Sequence, residues 1–278
     1  MKKVAVIQDL SSFGKCSLTA ALPVLSVMGS QACPLPTAVL TAQTGFSSYY
    51  CKDLTNEMVH YTDEWSNMGA AFDGIQTGYV TGEKQIAHIF HFLELFHRDK
   101  TKLLVDPVLG DDGQLYKMFS TNLVDQMQVL VKTADIITPN ITECCLLTGI
   151  SYEKIKRYKD QKSFFQAVEE AGRLLQQQTN AHVIVTGISM ESSNEIGNLY
   201  VDAEQIYLKQ SAYNGESYSG TGDLFSSIMM GGMMRGQSIK ETMVLAQQFL
   251  QAAITTTSLT SFSPKEGIHF EQHLNLLF

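Results

Sequence analysis

The chain has 278 residues, 44% of them apolar and 17% charged, which describes a folded protein with a sizeable core. A formal net charge of −8 with no cluster of Lys or Arg disfavours a nucleic-acid partner. Five cysteines (Cys16, Cys33, Cys51, Cys144, Cys145) are odd in number and form no C-x-x-C. They read as buried thiols of a reducing cytoplasm, not as a disulfide frame or a zinc site. The apolar run at residues 4–7 is too short for a signal peptide, and no segment is long and apolar enough to span a bilayer.

Residues 4–7 predict a buried strand, and residues 8–14 a turn holding Asp9. A helix is expected over 16–28, with Leu18, Leu22 and Leu25 on one face and Gly29 as its stop. In this β-loop-α opening Asp9 is a candidate substrate contact, although position alone favours a cap or a solvated loop. Residues 32–40 predict a second strand broken by Pro34 and Pro36, followed by a polar loop through Thr44 and Gly45. Residues 57–68 suggest a helix, 73–79 a strand ending in a turn, and 83–96 a helix with Ile86, Ile89, Phe90, Leu93 and Phe96 in register. His88, His91 and His97 read as polar positions of that helix, because no H-E-x-x-H is present.

A strand at 103–105 ends in Asp106-Pro107, and the glycine-flanked segment 110–113 looks mobile enough to fold over a site. Helices are expected over 123–131, from 143, over 163–177 and over 239–257; strands over 134–140 and 182–187; and a hairpin over 197–209 around Asp202-Ala203. The recurring β-loop-α order predicts an α/β fold: a doubly wound, mostly parallel sheet with helices on both faces, in a single domain spanning 1–278.

The stretch 214–232 organises the chain, with Gly220-Thr221-Gly222-Asp223 at its centre. A glycine turn opening into a helix aims free N–H groups and the positive end of a helix dipole at one point, which suits a phosphate. Asp223 would repel that phosphate unless it takes a proton from an attacking nucleophile. Taken alone, Asp223 reads equally well as a helix cap. Asn140 and Glu143 match a capping box and also a pair that orients a hydrated Mg²⁺. Asp106, Asn140, Glu143, Thr186 and Asp223 each follow a predicted strand or start a helix. In a doubly wound sheet such positions converge on one edge, a complete set for phosphoryl transfer to an alcohol.

G-T-G-D at 220–223, N-x-x-E at 140–143 and D-P-V at 106–108 resemble the ribokinase-like superfamily of small-molecule kinases. Ile7-Gln8, the 43–46 loop, Gly78-Tyr79, residues 106–111 and Thr138-Pro139-Asn140 are similar to the vitamin B6 kinases within it, over a span reaching about residue 236. The resemblance implies ATP-dependent phosphorylation of the hydroxymethyl group of pyridoxal, pyridoxine or pyridoxamine, with Asp223 as base and the N–H groups of Gly220, Thr221 and Gly222 as the anion hole. It implies that Asn140, Glu143, Thr186, Gly187, Thr221 and Gly222 bind ATP, and that Asp106, Thr138 and Glu143 lie at the metal site. It implies Mg²⁺ as the metal and leaves room for a monovalent cation such as K⁺. Asp9, Thr44, Tyr79 and Asp111 would contact the substrate, residues 107–121 would form a lid, and the assembly would be a homodimer.

Asp9 departs from the serine that many B6 kinases carry there. An aspartate suits a protonated ring nitrogen or an amine, and it is also reminiscent of the hydroxymethylpyrimidine kinases of thiamin synthesis. A ligand-binding protein on the same fold is a further alternative, disfavoured by the base at 223. A nicotinamide-dependent oxidoreductase is disfavoured because no G-x-G-x-x-G follows the first strand.

Overall fold

The computed structural model describes residues 1–190 and 194–278. These divide into two compact units, Met1–Leu103 with Gly215–Phe278, and Leu104–Asn214. The strands are mostly parallel and flanked by helices, the α/β class that the sequence predicts.

In the first unit β1 (Lys2–Ser11) is followed by α1 (Ser17–Val27), β2 (Ser30–Leu40), β3 (Cys51–Asp53), α2 (Thr55–Asn67), β4 (Gly74–Thr77) and α3 (Glu83–Phe96). Strand order is β4-β1-β2-β3, with β1 parallel to both β2 and β4. β1 is longer than its apolar run, because β2 pairs with it from Lys2 to Ser11. The expected turn at 8–11 is therefore strand, and Asp9 lies inside it. Nor do Pro34 and Pro36 break β2. Both prolines pair with β1, and β3 pairs with β2 only at Ala38–Leu40, so at the prolines β2 is an edge with a strand on one side, where proline is tolerated. Under α2 and α3 the rings of Trp65, Phe72, Phe92 and Phe96 form one cluster, with Phe92 and Phe96 centroids 4.5 Å apart.

The chain enters the second unit along β5 (Lys102–Val105). The elements that follow are a two-stranded ribbon of β6 (Gly110–Asp111) and β7 (Gln114–Leu115), then α4 (Thr121–Val131), β8 (Ile136–Ile137), α5 (Ile141–Thr148), α6 (Tyr152–Lys156), α7 (Gln161–Thr179), β9 (His182–Ser189), β10 (Glu195–Val201) and β11 (Ile206–Ala212). Order here is β5-β8-β9-β10-β11; the first three are parallel and the last two form the expected hairpin. Residues 110–113, the segment expected to be able to fold over a site, belong to this ribbon. Asp112 and Gly113 both have positive φ, 48° and 75°, the two-residue turn that closes a tight hairpin.

The chain returns to the first unit for α8 (Thr221–Met234) and α9 (Ile239–Ser258). α8 packs against both α1 and α9. A methyl group at Gly231 would strike Met28 and one at Gly232 would strike Thr242, so two small residues let α8 sit close to its neighbours. Two 3₁₀ turns, Pro264–Glu266 and Glu271–Leu277, complete the chain. No helix among the described residues is long and apolar enough to cross a membrane.

Phe92→Ala empties the centre of the ring cluster and is expected to reduce stability by about 3–5 kcal/mol. Denaturant unfolding followed by Trp65, the single tryptophan, checks this. A loss below about 1 kcal/mol would mean that the cluster is not a packed core.

Candidate active site

In the first unit Gly220 caps α8 in the left-handed conformation, φ 80°, and no side chain caps that helix. α1, α2 and α3 likewise lack a side-chain cap, while α4, α5, α6, α7 and α9 are capped by Ser120, Asn140, Ser151, Asp160 and Ser238. Glycine is required at 220 twice over. Its φ is unfavourable for other residues, and a Cβ there would overlap the carbonyl oxygen of Lys15. Gly222 faces open space, and the Thr221 hydroxyl is occupied by the Tyr218 carbonyl at 3.0 Å. Asp223 stands in the first turn, half-buried. This geometry gives an uncapped helix start, its positive dipole end, and a carboxylate one turn in.

Asp9 lies in the same unit. It sits at a register shift of β1 against β2, opposite two residues, Thr37 and Ala38. Its carboxylate is buried and accepts hydrogen bonds from Ser17 Oγ at 2.5 Å and Ser11 Oγ at 2.7 Å. Burial pushes its pKa up, and the two serine hydroxyls act in the opposite direction. Asp9 is thus neither a helix cap nor a solvated loop residue. Cys16 lies close to both carboxylates: burial raises its thiol pKa first, and the charges of Asp223 and Asp9 raise it further. Tyr79 is half-buried, its phenol pushed up by burial and then by Cys51 and Asp9 among its neighbours. Electrostatic influence therefore links Cys16 to Asp223 and Asp9, and Asp9 to Tyr79. Thr44 is exposed, in a turn closed by Phe46 N–H donating to the Gln43 carbonyl at 3.2 Å. Cys16, Ser11 and Ser17 were not legible as site residues, since nothing local marks them.

The second unit holds the other candidates. Asn140 and Glu143 form a complete capping box on α5. The Asn140 side chain accepts from Glu143 N–H at 2.9 Å, and Glu143 Oε2 accepts from Asn140 N–H at 2.8 Å. The same pair grips the ribbon. Asn140 Nδ2 donates to the Gly110 carbonyl at 2.9 Å, Leu109 N–H donates to Glu143 Oε1 at 3.1 Å, and Gly113 N–H donates to Thr142 Oγ1 at 2.9 Å. The expected lid is, in this state, tied to the start of α5. Glu143 is buried, and its pKa is raised well above the usual range by burial first and by the Asp106 charge second. Thr138 Oγ1 is buried with no hydrogen-bond partner. Thr186 bridges to Asn140, its N–H donating to the Pro139 carbonyl at 2.8 Å, and Gly187 follows at φ 66°, exposed. Asp111 is exposed on the ribbon, where its Oδ1 accepts from Asp112 N–H at 2.9 Å.

Among the described residues no group of three or more His, Cys, Asp or Glu is arranged to hold a metal. The candidate set is two carboxylates that feel each other's charge and an orphaned hydroxyl, all oxygen donors. That chemistry fits a hard cation that keeps much of its water, such as Mg²⁺.

Two outcomes follow from this geometry. Because the folded-state pKa of Asp9 is raised, its stabilising contribution is complete below the ordinary carboxylate range and is lost as pH rises through the raised value. Asp9→Asn is therefore expected to melt higher than wild type at about pH 8, with the difference closing toward about pH 4; a pH-independent difference would refute it. Asn140→Ala is expected to lower stability by about 1 kcal/mol. It should also speed amide hydrogen exchange over residues 109–115, and unchanged exchange there would show that the ribbon does not depend on this side chain.

The phosphomethylpyrimidine kinase family model matches residues 12–268. A solved pyridoxal kinase from Lactobacillus plantarum superposes with a TM-score of 0.88 at 30% identity, covering 100% of this chain and 96% of that one. A candidate phosphomethylpyrimidine kinase from Bacteroides thetaiotaomicron, solved with pyridoxal, gives a TM-score of 0.92 at 34% identity, covering 99% and 95%. The hydroxymethylpyrimidine/phosphomethylpyrimidine kinase of Haemophilus influenzae is 29% identical over 157 residues, 55% of each chain. With a ribokinase-like fold and a family match over nearly its whole length, the chain belongs to the pyridoxal/phosphomethylpyrimidine kinase family.

Proposed function

We propose that this kinase transfers the terminal phosphoryl group of ATP to the hydroxymethyl group of pyridoxal or a close B6 relative. The observation that carries the reading is the uncapped Gly220 turn with Asp223 one turn in, in the same unit as buried Asp9 and half-buried Tyr79. Asp223 takes the proton of the primary hydroxyl as its oxygen attacks phosphorus. The N–H groups of Gly220, Thr221 and Gly222 donate to the phosphoryl oxygens as charge moves onto them. The bond from phosphorus to the ADP oxygen breaks, so the products are the phosphate ester, ADP and one proton.

Asp9, Tyr79 and Thr44, the last in the exposed turn that the Gln43 carbonyl closes, contact the ring. Asp9, reluctant to ionise alone, becomes a carboxylate when a protonated ring nitrogen or an amine pairs with it. Asn140, Glu143, Thr186 and Gly187 receive the nucleotide, and the ribbon carrying Asp111 serves as the lid. Asp106, Glu143 and Thr138 would hold the cations. When bound, Mg²⁺, with any monovalent cation beside it, would neutralise phosphate charge.

The Bacteroides relative bound to pyridoxal supports the B6 reading. The family description and the Haemophilus relative support a second reading, hydroxymethylpyrimidine as the alcohol. An amine-bearing pyrimidine also suits a buried carboxylate at position 9.

ATP consumption measured in parallel with pyridoxal, pyridoxine, pyridoxamine and hydroxymethylpyrimidine separates the two. Turnover is expected with the B6 set; turnover with the pyrimidine alone would overturn the first reading. Asp223→Asn is expected to lower kcat by about 10²–10⁴-fold while ADP still raises the melting temperature. A near wild-type rate would remove Asp223 from the base role.

A further inference from the structure

The turn at Gly220 rests on Lys15. The carbonyl oxygen of Lys15 fills the space where any larger residue at 220 would place its Cβ, and the Lys15 carbonyl carbon and Cys16 Cα line the same space. Lys15 is in turn fixed from the far end of the sequence, within the same unit. Its N–H donates to the Glu266 carbonyl at 3.0 Å. Its ammonium pairs with Glu271 Oε2 at 2.8 Å and lies 5.5 Å and 5.8 Å from the ring centres of Phe262 and Phe270. Gly267, at φ 90°, lies against Lys15, where an added Cβ would come within 2.9 Å of Lys15 Cβ and 3.2 Å of the Ser219 carbonyl oxygen.

Two further bonds tie the same C-terminal segment to the turn. Ser219 N–H donates to the Pro264 carbonyl at 3.1 Å, one residue before Gly220. Gln43 Nε2 donates to the Lys265 carbonyl at 2.9 Å and to Ser219 Oγ at 3.2 Å. Residues 262–271 thus touch the turn directly at Ser219 and indirectly through Lys15 and Gln43. The tail carries no motif in the sequence, yet every one of these contacts ends at the backbone of the phosphate turn or one step from it.

We propose that Lys15, clasped by residues 262–271, is a positioning residue for phosphoryl transfer: it sets the backbone floor on which the Gly220–Gly222 amides are aimed. The inference rests on the reading of that turn as the phosphate site. It requires no contact between Lys15 and substrate. Misplacement of reacting groups by about 1 Å costs on the order of 10²-fold in rate, so a small loosening of this floor is visible in turnover.

The test compares Lys15→Met, Lys15→Arg, Glu271→Gln and Gly267→Ala with the wild type. Lys15→Met keeps the stem but loses the ion pair and both ring contacts. It is expected to lower kcat about five-fold with KM for the alcohol unchanged, while Lys15→Arg restores kcat. Glu271→Gln added to Lys15→Met should cause no further loss. Gly267→Ala wedges Lys15 from Ser219 and is expected to lower kcat by about 10–100-fold. If that variant does not fold, the Met/Arg pair at position 15 decides. Amide hydrogen exchange at residues 219–223 is the readout free of activity, and it should speed up in Lys15→Met. Lowered melting temperature with unchanged kcat and unchanged exchange at 219–223 would overturn the proposal. A wild type inactive on every hydroxymethyl substrate, with the exchange effect present, would overturn the proposed function and leave the clasp standing.

Discussion

The structure of the first unit depends on one close approach, the left-handed Gly220 against the carbonyl of Lys15. A chain that turns through positive φ and then enters a helix leaves its first N–H groups aimed outward. Here the cap residue is a glycine with no side chain to take them up, whereas α4, α5, α6, α7 and α9 are each capped by the side chain of their N-cap residue. The turn fixes where α8 begins and therefore where Asp223 stands. α8 itself is held over its length, by Gly231 and Gly232 against neighbouring helices and by Gln76 Nε2 donating to Ser227 Oγ at 3.1 Å. A side chain on so constrained a helix has few ways to drift, which is what the proposed role of Asp223 as base requires.

The second unit solves a different problem with one motif. Asn140 and Glu143 are at once a helix cap and the anchor of the ribbon. The two readings that compete in the sequence, structural cap or metal organiser, are not exclusive. The carboxylate of Glu143 is already engaged by two backbone N–H groups, but each oxygen keeps a lone pair that a cation could use. As cap and anchor together, Asn140 and Glu143 couple the start of α5 to the segment that the family resemblance makes a lid.

Much of this was legible from residue patterns. The helix over 83–96 appears with the bounds its apolar spacing gives, and the hairpin around Asp202 pairs as its alternation suggests. The G-T-G-D and N-x-x-E signals mark a helix start in each unit because cap and turn chemistry is local. Two short elements, β3 and α6, leave too few residues for any periodicity. β1 ran past its apolar stretch because the polar residues Gln8, Asp9 and Ser11 sit where β2 continues to pair with them.

The sequence by itself determined the class of fold, the family and the residues that start the two key helices, since these rest on periodicity and on contacts spanning only a few residues. The tertiary structure alone decided that Asp9 is buried between two serines, that Cys16 lies close to both Asp9 and Asp223, and that the C-terminal tail clasps Lys15. Lys15 and Glu271 are 256 positions apart, and Gln43 and Lys265 are 222 apart. No local pattern encodes such pairs, because partners that far apart in the chain meet only once the intervening elements have packed.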